Sequence, residues 1–451
     1  MKIGIVGGGL MGLALAHRLT RHHHQVSVIE RDRQLGGLAT FHDYGKFYWD
    51  RFYHVILPTD RQLISFLDDI GLSSKLRWAR TYTGFFVDRK LFSLSSGVEF
   101  LRFSPLNFFS KCRFVATILY CAKIKDWRAL EQIKVGDWLR KIGGKSTYEK
   151  IWKPLLLAKL GKEYERVSAV FIWSYIVRMF SARDRSTQKE QLGHVVGGYK
   201  TVFEQLSMLV KAAGGRIRTN TSVKKILPGN NGGLWIEHND TKEYFDKVIF
   251  TSPVDVLQRV AGNELIRAER AGTGVEYLGV ICMVLVTREP LVPYYVVNIA
   301  DDRVPFTGII GLSNLVDPAE TAGLHVTFLP KYVHSDSAQL AATDDEVRAL
   351  FFAGLDIMIP DWRARGLESV HINRAKRVQP LQVLNYSQLV PQVHSDHPDF
   401  YVLNTTQFTH MTLNNNEVIR AVDEFLAGPG SALNVPATST AGPETQVVKA
   451  A

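Results

Sequence analysis

The sequence predicts an α/β fold, and three observations lead to this prediction. The chain begins with a short apolar segment, residues 3–6, that runs directly into three consecutive glycines. A helical segment with a buried apolar stripe follows. A second apolar segment, residues 26–29, then ends in Glu30. Strand, glycine-rich turn, helix and strand in this order are typical of a βαβ unit with parallel strands.

Length and composition limit the class of protein. The chain has 451 residues, of which 46% are hydrophobic and 22% charged, with a mean hydropathy of −0.04. These values predict a soluble globular protein of two interleaved domains. No apolar run approaches the roughly 18 residues that a membrane span needs, and no export signal opens the chain. We therefore expect a cytoplasmic protein.

Cysteines and histidines do not indicate a metal site. The chain has three scattered cysteines, too few for a disulfide framework or a zinc site. The run His22-His23-His24 follows the first helix. Three consecutive side chains of a regular element cannot all face one ion, so a polar turn is the better interpretation and we expect no metal.

The net charge is +10, and residues 111–141 carry eight Lys or Arg against three acids. This balance could attract an anionic substrate, a nucleic acid or an anionic membrane surface. We expect a small-molecule substrate, with an anionic one as an option, and no nucleic acid, since the basic segment has no recognised binding motif. The apolar and basic residues 100–120 suit either a membrane-interface helix or a substrate-domain helix with a basic outer face.

The glycine-rich turn carries the main chemical signal. In Gly7-Gly8-Gly9-Leu10-Met11-Gly12, the first glycine permits a tight turn and Gly9 lets the backbone approach a pyrophosphate. Gly12 lets the helix pack closely on the strand, and the helix N-terminus attracts the anion. Glu30 would accept hydrogen bonds from an adenosine ribose and would repel a 2′-phosphate. The sequence therefore predicts binding of an adenine dinucleotide other than NADP.

A second glycine pair, Gly36-Gly37, follows Glu30. Together with the first turn and the acid, it resembles the superfamily of FAD-dependent amine oxidases, protoporphyrinogen oxidases and phytoene desaturases. The resemblance implies FAD, in a Rossmann-like FAD-binding domain with an interleaved mixed α+β substrate domain. It places the cofactor against Gly7, Gly9, Leu10, Met11, Gly12, Glu30, Arg31, Gly36, Gly37, Leu38, Thr40, Val223, Thr405 and Asn415.

The chain departs from the family pattern at two places. Leu38 stands where the family usually has an arginine that reaches the phosphate. The family's last motif is a Gly-Asp pair that precedes a helix. Residues 404–407 and the asparagines 414–416 stand in its place, before a predicted helix at 417–427.

The resemblance divides the chain into alternating segments. It implies that FAD-binding segments 1–75, 196–255 and 376–427 enclose two parts of a substrate domain. Those parts are 76–195, which the pattern predicts to be mostly helical, and 256–375. Within these segments the pattern predicts a hairpin from Tyr82 to Leu94, with Asp88-Arg89 at the turn, and helices at 198–213 and 345–357. From 428 to 451 the composition predicts a disordered tail.

Two residues are candidates for catalysis. Residues 50–54 resemble the Asp-x-Gly-x-His of UDP-galactopyranose mutases, with Phe52 in place of glycine. His54 could contact the flavin or shuttle a proton, or be a packed loop histidine. Arg377 could clamp an anionic substrate or be a surface charge. Tyr294-Tyr295 and residues 172–176 either line the substrate pocket or belong to the core.

Lys153 and Lys159 are interpreted as ordinary surface charges. The expected function is an FAD-dependent oxidoreductase that removes hydride from a C–N or C–C centre of a small organic substrate. The alternatives are a redox-neutral flavin isomerase of a sugar nucleotide, similar to UDP-galactopyranose mutase, and a degenerate flavoprotein without catalysis.

Overall fold

The computed structural model describes residues 1–181, 190–434 and 447–449. At its centre is a sheet of five parallel strands whose residues alternate between two covered faces. In spatial order the strands are Phe400–Val402, Lys247–Phe250, Lys2–Val6, Gln25–Ile29 and Arg216–Arg218. The α/β fold predicted from the sequence is confirmed.

The central sheet is the middle of three layers. Three helices cover one face and bury their apolar stripes on it: Leu10–Arg21, Gly198–Ala212 and Asn415–Ala427. An antiparallel sheet and a short helix cover the other face: Val223–Pro228, Leu234–His238, Thr241–Phe245, Val447–Lys449 and the helix Val254–Val260. Apolar neighbours on both faces explain why the strands of the central sheet are apolar throughout.

A second, seven-stranded mixed sheet forms a platform beside the central sheet. Its strands in spatial order are Leu367–Pro380, Tyr277–Thr287, His325–His334, Gly308–Gly311, Val296–Ile299, Thr83–Val87 and Lys90–Ser93. Every residue of Tyr277–Thr287 is buried. The helix Asp344–Met358 packs on one face of this platform sheet, and residues of the 44–57 loop region pack on the other.

The helix Arg61–Asp69 packs in the same core as Asn415–Ala427. The remaining helices are rich in aromatic residues. They are Gly97–Arg102, Phe108–Lys123, Arg128–Glu131, Val135–Gly143, Lys145–Thr147, Lys153–Leu160 and Ala169–Ser181, with a π-helical segment at Tyr148–Trp152. Two two-stranded ribbons complete the regular structure: Phe41–Asp43 with Tyr48–Asp50, and Leu76–Arg80 with Gln191–Val195. In the part of the chain that the structure describes, no helix is both long and apolar enough to cross a bilayer.

Several local predictions are confirmed. The predicted hairpin turns at Asp88-Arg89, both of which have positive φ, as the tight turn between paired strands requires. The helices predicted at 198–213 and 345–357 are observed within one residue of those bounds. The histidine run forms a turn. In it His24 is buried, and its Nε2 forms a hydrogen bond of 2.8 Å with the carbonyl oxygen of Leu433.

The predicted start of the tail is wrong. Leu433 is fully buried in the core beneath the central sheet, and a short helix, Ser431–Leu433, precedes residue 434. The polar and small residues after Gly428 predict disorder, and one apolar residue, Leu433, was not enough to change that prediction. Residues 435–446 and 450–451, also predicted to be disordered, lie outside the described residues. The six-segment division of the chain stays a prediction.

Candidate active site

The glycine-rich turn leaves no room for side chains at two of its positions. Gly7 has a φ of +117°, and a Cβ there would lie 2.5 Å from Thr251 Oγ1. A Cβ on Gly12 would lie 2.0 Å from the carbonyl oxygen of Gly7. The turn is therefore packed between its own helix and the end of the neighbouring strand.

Gly9 differs from these two glycines because it faces open space. A Cβ on Gly9 would lie 4.0 Å from the nearest heavy atom outside its chain neighbours, the carbonyl oxygen of Gly36. Gly9 is the N-cap of the helix Leu10–Arg21, and no side chain caps the first N–H groups there. Free N–H groups that face open space at a helix N-terminus suit an anionic group such as a pyrophosphate.

Glu30 lies beside this turn, at the carboxyl end of the second strand. Its two carboxylate oxygens accept hydrogen bonds from the backbone N–H groups of Gly8 (2.6 Å) and Asp32 (2.8 Å). Its carbonyl accepts the N–H of Thr221, two residues before Val223. The neighbouring Arg31 is exposed and lies 3.2 Å from Asp32. Glu30 and Val223 thus lie at one end of the turn, where the resemblance places the adenosine.

The second glycine pair packs directly against the first turn. The N–H of Gly36 donates to the oxygen of Gly8 at 2.9 Å, and Gly36 pairs with Gly9 as an isolated bridge. Both Gly36 and Gly37 have positive φ. Leu38 follows in a single 3₁₀ turn, and the Thr40 hydroxyl donates to the oxygen of Leu35. Two stretches of glycine backbone therefore border the open space at Gly9.

The C-terminal segment reaches the same edge of the central sheet. Asn404 donates to the oxygen of Ser252, whose hydroxyl in turn donates to Val6 oxygen beside Gly7. Thr405 begins a 3₁₀ turn there, and Asn415 begins the helix Asn415–Ala427, two residues earlier than predicted. The side chains of Asn404 and Asn414 cap these two elements and thus serve local structure where the family has Gly-Asp.

His54 lies next to the same region, near the start of the helix Gly198–Ala212. Asp50, which is buried, accepts the backbone N–H of Tyr199 at 2.7 Å. Nδ1 of His54 is 3.3 Å from the other oxygen of Asp50 but outside hydrogen-bonding geometry. Among the described residues, the buried atoms His54 Nδ1 and Arg51 Nε have no hydrogen-bond partner. Buried polar atoms are normally paired, so both atoms fit a bound polar group such as the flavin.

Arg377 is less available for binding an anionic substrate than the sequence suggested. It lies on the strand Leu367–Pro380 and forms an ion pair with Asp255 at the start of the helix Val254–Val260. Because this carboxylate already occupies the guanidinium, the pair has a clear structural role. A catalytic role for either His54 or Arg377 stays a prediction.

A cluster of tyrosines includes Tyr53, the residue that precedes His54. We call Tyr53, Tyr175, Tyr295 and Tyr332, with Lys159 and Gln379, the tyrosine cluster. The hydroxyls of Tyr53 and Tyr332 lie 2.8 Å apart, and the Tyr175 hydroxyl donates to Gln379 Oε1 at 3.1 Å. The buried Tyr295 hydroxyl has no partner among the described residues. The cluster combines aromatic faces with a few polar groups, as substrate pockets commonly do.

Lys159 corrects the prediction of a surface charge. Its side chain is partly buried, and its Nζ lies 3.3 Å from the ring centroid of Tyr332 and 5.9 Å from that of Tyr175. Burial lowers the pKa of Lys159 to about 7. Helical spacing could have predicted this burial, because Lys159 follows the buried Leu156 by three residues and so lies on the same face of the helix. Lys153, in contrast, keeps 39% of its side chain exposed and pairs with Glu149.

Comparison with known proteins identifies the family of the chain. The family model of flavin-containing amine oxidoreductases matches residues 10–367. A candidate zeta-carotene desaturase from Synechococcus elongatus is 25% identical over 291 residues. The match covers 58% of this chain and 60% of that protein, less than two thirds of its length.

Solved structures share the whole fold. A candidate protoporphyrinogen oxidase from Exiguobacterium sp. 255-15 superposes with a TM-score of 0.75 at 16% identity, covering 96% of this chain and 99% of that one. Cyclohexylamine oxidase from Brevibacterium oxydans IH-35A gives a TM-score of 0.71 at 15% identity, with the same coverage. At these identities the likeness shows the fold alone.

Proposed function

The chain belongs to the flavin-containing amine oxidoreductase family, and we propose that it removes hydride from a C–N or C–C centre held against the tyrosine cluster. Membership confirms the resemblance predicted from the sequence. Membership also favours an FAD-dependent oxidoreductase over a degenerate flavoprotein without catalysis. The position of the tyrosine cluster beside His54, next to the glycine-bordered edge of the central sheet, is the observation that carries the proposal.

The residues around the open space at Gly9 would hold FAD. The helix N-terminus at Leu10 and Met11 suits the pyrophosphate, and Glu30 suits the ribose. The unpartnered atoms of His54 and Arg51 suit polar atoms of the flavin. When bound, FAD supplies the hydride acceptor.

The tyrosine cluster would orient the substrate and take up its proton. Removal of hydride from one atom and of a proton from its neighbour forms a C=N or C=C bond. Lys159, with its pKa near 7, is suited to accept that proton at Nζ. The aromatic faces of Tyr175 and Tyr332 would exclude water from the reacting atoms.

Substrate-driven reduction of the flavin tests this function. We would mix the FAD-loaded protein anaerobically with panels of amines and of polyene hydrocarbons and follow the visible absorption of the oxidised flavin. Loss of this absorption with one panel identifies the substrate class. Activity toward a sugar nucleotide only after prior chemical reduction of the flavin would instead favour the redox-neutral isomerase.

A further inference from the structure

The helix Phe108–Lys123, which we call the outer helix, turns large apolar side chains toward solvent. Phe108 is 65% exposed, Phe109 82% and Leu119 49%. The preceding helix, Gly97–Arg102, adds Val98 and Leu101, which are 59% and 61% exposed. Most monomeric proteins expose large apolar residues singly, so a contiguous set of this kind indicates an interaction surface.

The outer helix contacts the rest of the protein through a different face, where Phe114 and Ile118 pack partly buried against the core. Its buried positions are Ser110, Thr117 and Cys121. The Thr117 hydroxyl donates to the oxygen of Arg113, and the oxygen of Cys121 accepts the indole N–H of Trp173. An ordinary surface helix has one apolar stripe, toward the core, and a polar outer face, whereas the outer helix is apolar on its outer face as well. The inner contacts of this helix are thus already made, and its apolar outer face is left without a partner in the described chain.

The two helices also enclose an apolar groove of about 740 Å³. Its walls include Phe100, Leu101, Phe108, Val115 and Leu119. Phe108, Val115 and Leu119 recur at helical spacing, so one face of the outer helix forms one wall. The groove and the exposed side chains form one continuous surface, which we call the apolar patch.

The apolar patch is surrounded by positive charge. Residues 97–125 contain five cations, Arg102, Lys111, Arg113, Lys123 and Lys125, and a single acid, Glu99. Glu99 is used in a capping box with Ser96. Lys111 and Arg113 donate to the backbone carbonyl oxygens of Leu101, Lys141 and Ile142, which leaves their charges uncompensated. The net charge of this region is therefore +4, five cations minus one acid.

We propose that the apolar patch docks on an anionic lipid bilayer. The side chains of Phe108, Phe109 and Leu119 enter the interface between lipids, and the surrounding cations bind the headgroups. Exposed apolar side chains flanked by Lys and Arg are the combination that an anionic membrane surface binds. A second copy of the chain is a poorer occupant, because it would bring two regions of charge +4 together.

Vesicle co-sedimentation of the full FAD-loaded chain tests this proposal. We expect binding to phosphatidylcholine vesicles that contain phosphatidylglycerol, weaker binding to phosphatidylcholine alone, and loss of binding as salt rises. The triple variant Phe108→Ser, Phe109→Ser, Leu119→Ser should bind at least about tenfold more weakly, since it removes large apolar surface. Lys123→Glu with Lys125→Glu should abolish the preference for anionic vesicles.

The matched control removes equally exposed apolar side chains elsewhere. Met208 and Leu350 are 55% and 47% exposed on other helices, and Met208→Ser with Leu350→Ser should bind vesicles like the unaltered protein. Flavin content and circular dichroism verify the fold of each variant. Equal binding by the triple variant and the control would overturn the proposal. A second result would also overturn it: the unaltered protein self-associates in light scattering, the triple variant does not, and neither protein binds vesicles.

Discussion

Nζ of Lys159 lies 3.3 Å from the ring centroid of Tyr332, on the platform sheet. The two residues come from distant parts of the chain and meet where the helix Lys153–Leu160 packs on the strand His325–His334. Contact with an aromatic face favours the ammonium form, whereas burial disfavours it. Burial prevails, so that Lys159 can exchange a proton near neutral pH.

Lys159→Met should slow flavin reduction by substrate at least about 100-fold, the range expected for loss of a proton acceptor. In the unaltered protein the rate should rise with pH through about 7, as Lys159 loses its proton. The variant should lack this rise. Stopped-flow absorption across pH measures both effects, with Lys153→Met as the control. An unchanged pH profile would remove Lys159 from the reaction.

The same group links pH to stability. The unfolded chain holds this proton up to the ordinary pKa of 10.5, while the folded chain releases it near 7. Between these values the unfolded state binds more protons, so Lys159 makes the free energy of unfolding rise with pH. Urea unfolding should show a smaller rise for Lys159→Met than for the unaltered protein. Parallel pH curves for the two proteins would contradict the shifted pKa.

Tyr53→Phe and Tyr332→Phe should have non-additive effects, because each removes the same hydroxyl contact of 2.8 Å. We expect a coupling of about 1 kcal/mol in the free energy of unfolding, the usual net value of one hydrogen bond. Urea unfolding of both single variants and the double variant gives this number. Tyr82→Phe, at an exposed tyrosine, serves as the control. Strict additivity would mean that the two hydroxyls do not interact.

Gly9→Val should abolish FAD binding while leaving the folded protein stable to within about 1 kcal/mol, because the added side chain enters open space. Gly12→Ala should instead destabilise the protein by about 3 kcal/mol, since its Cβ would lie 2.0 Å from Gly7 oxygen. Thermal unfolding and the flavin content after purification separate the two effects. Full flavin content in Gly9→Val would refute the assignment of the open space to the pyrophosphate.

Glu30→Ala should weaken FAD binding about 10- to 100-fold, through the loss of charge-assisted hydrogen bonds to the ribose. The fold should persist, although the N–H groups of Gly8 and Asp32 lose their acceptor. Titration of the flavin-free protein with FAD measures the change. Asp32→Ala, at an exposed carboxylate, is the matched control. Equal affinities for both variants would argue against ribose binding by Glu30.

Local pattern was sufficient wherever neighbouring residues decide the structure. The glycine-rich turn, the strand that ends at Glu30 and the Asp88-Arg89 hairpin are all readable because their backbone geometry depends on residues close in sequence. The resemblance carried by these residues led correctly to the family and to FAD. The residues of the tyrosine cluster come from distant parts of the chain and gave no comparable signal.

What the sequence determined by itself was therefore the βαβ unit, its glycines and the cofactor class, since the dinucleotide imposes short-range requirements on the backbone. Tertiary structure decided which polar residues lose their water. It buried Lys159 against Tyr332, joined Arg377 to Asp255, and anchored Leu433 in the core. It also left the apolar face of Phe108–Lys123 exposed. The burial of a polar side chain depends on neighbours that are distant in sequence, so the periodicity within one segment cannot predict it.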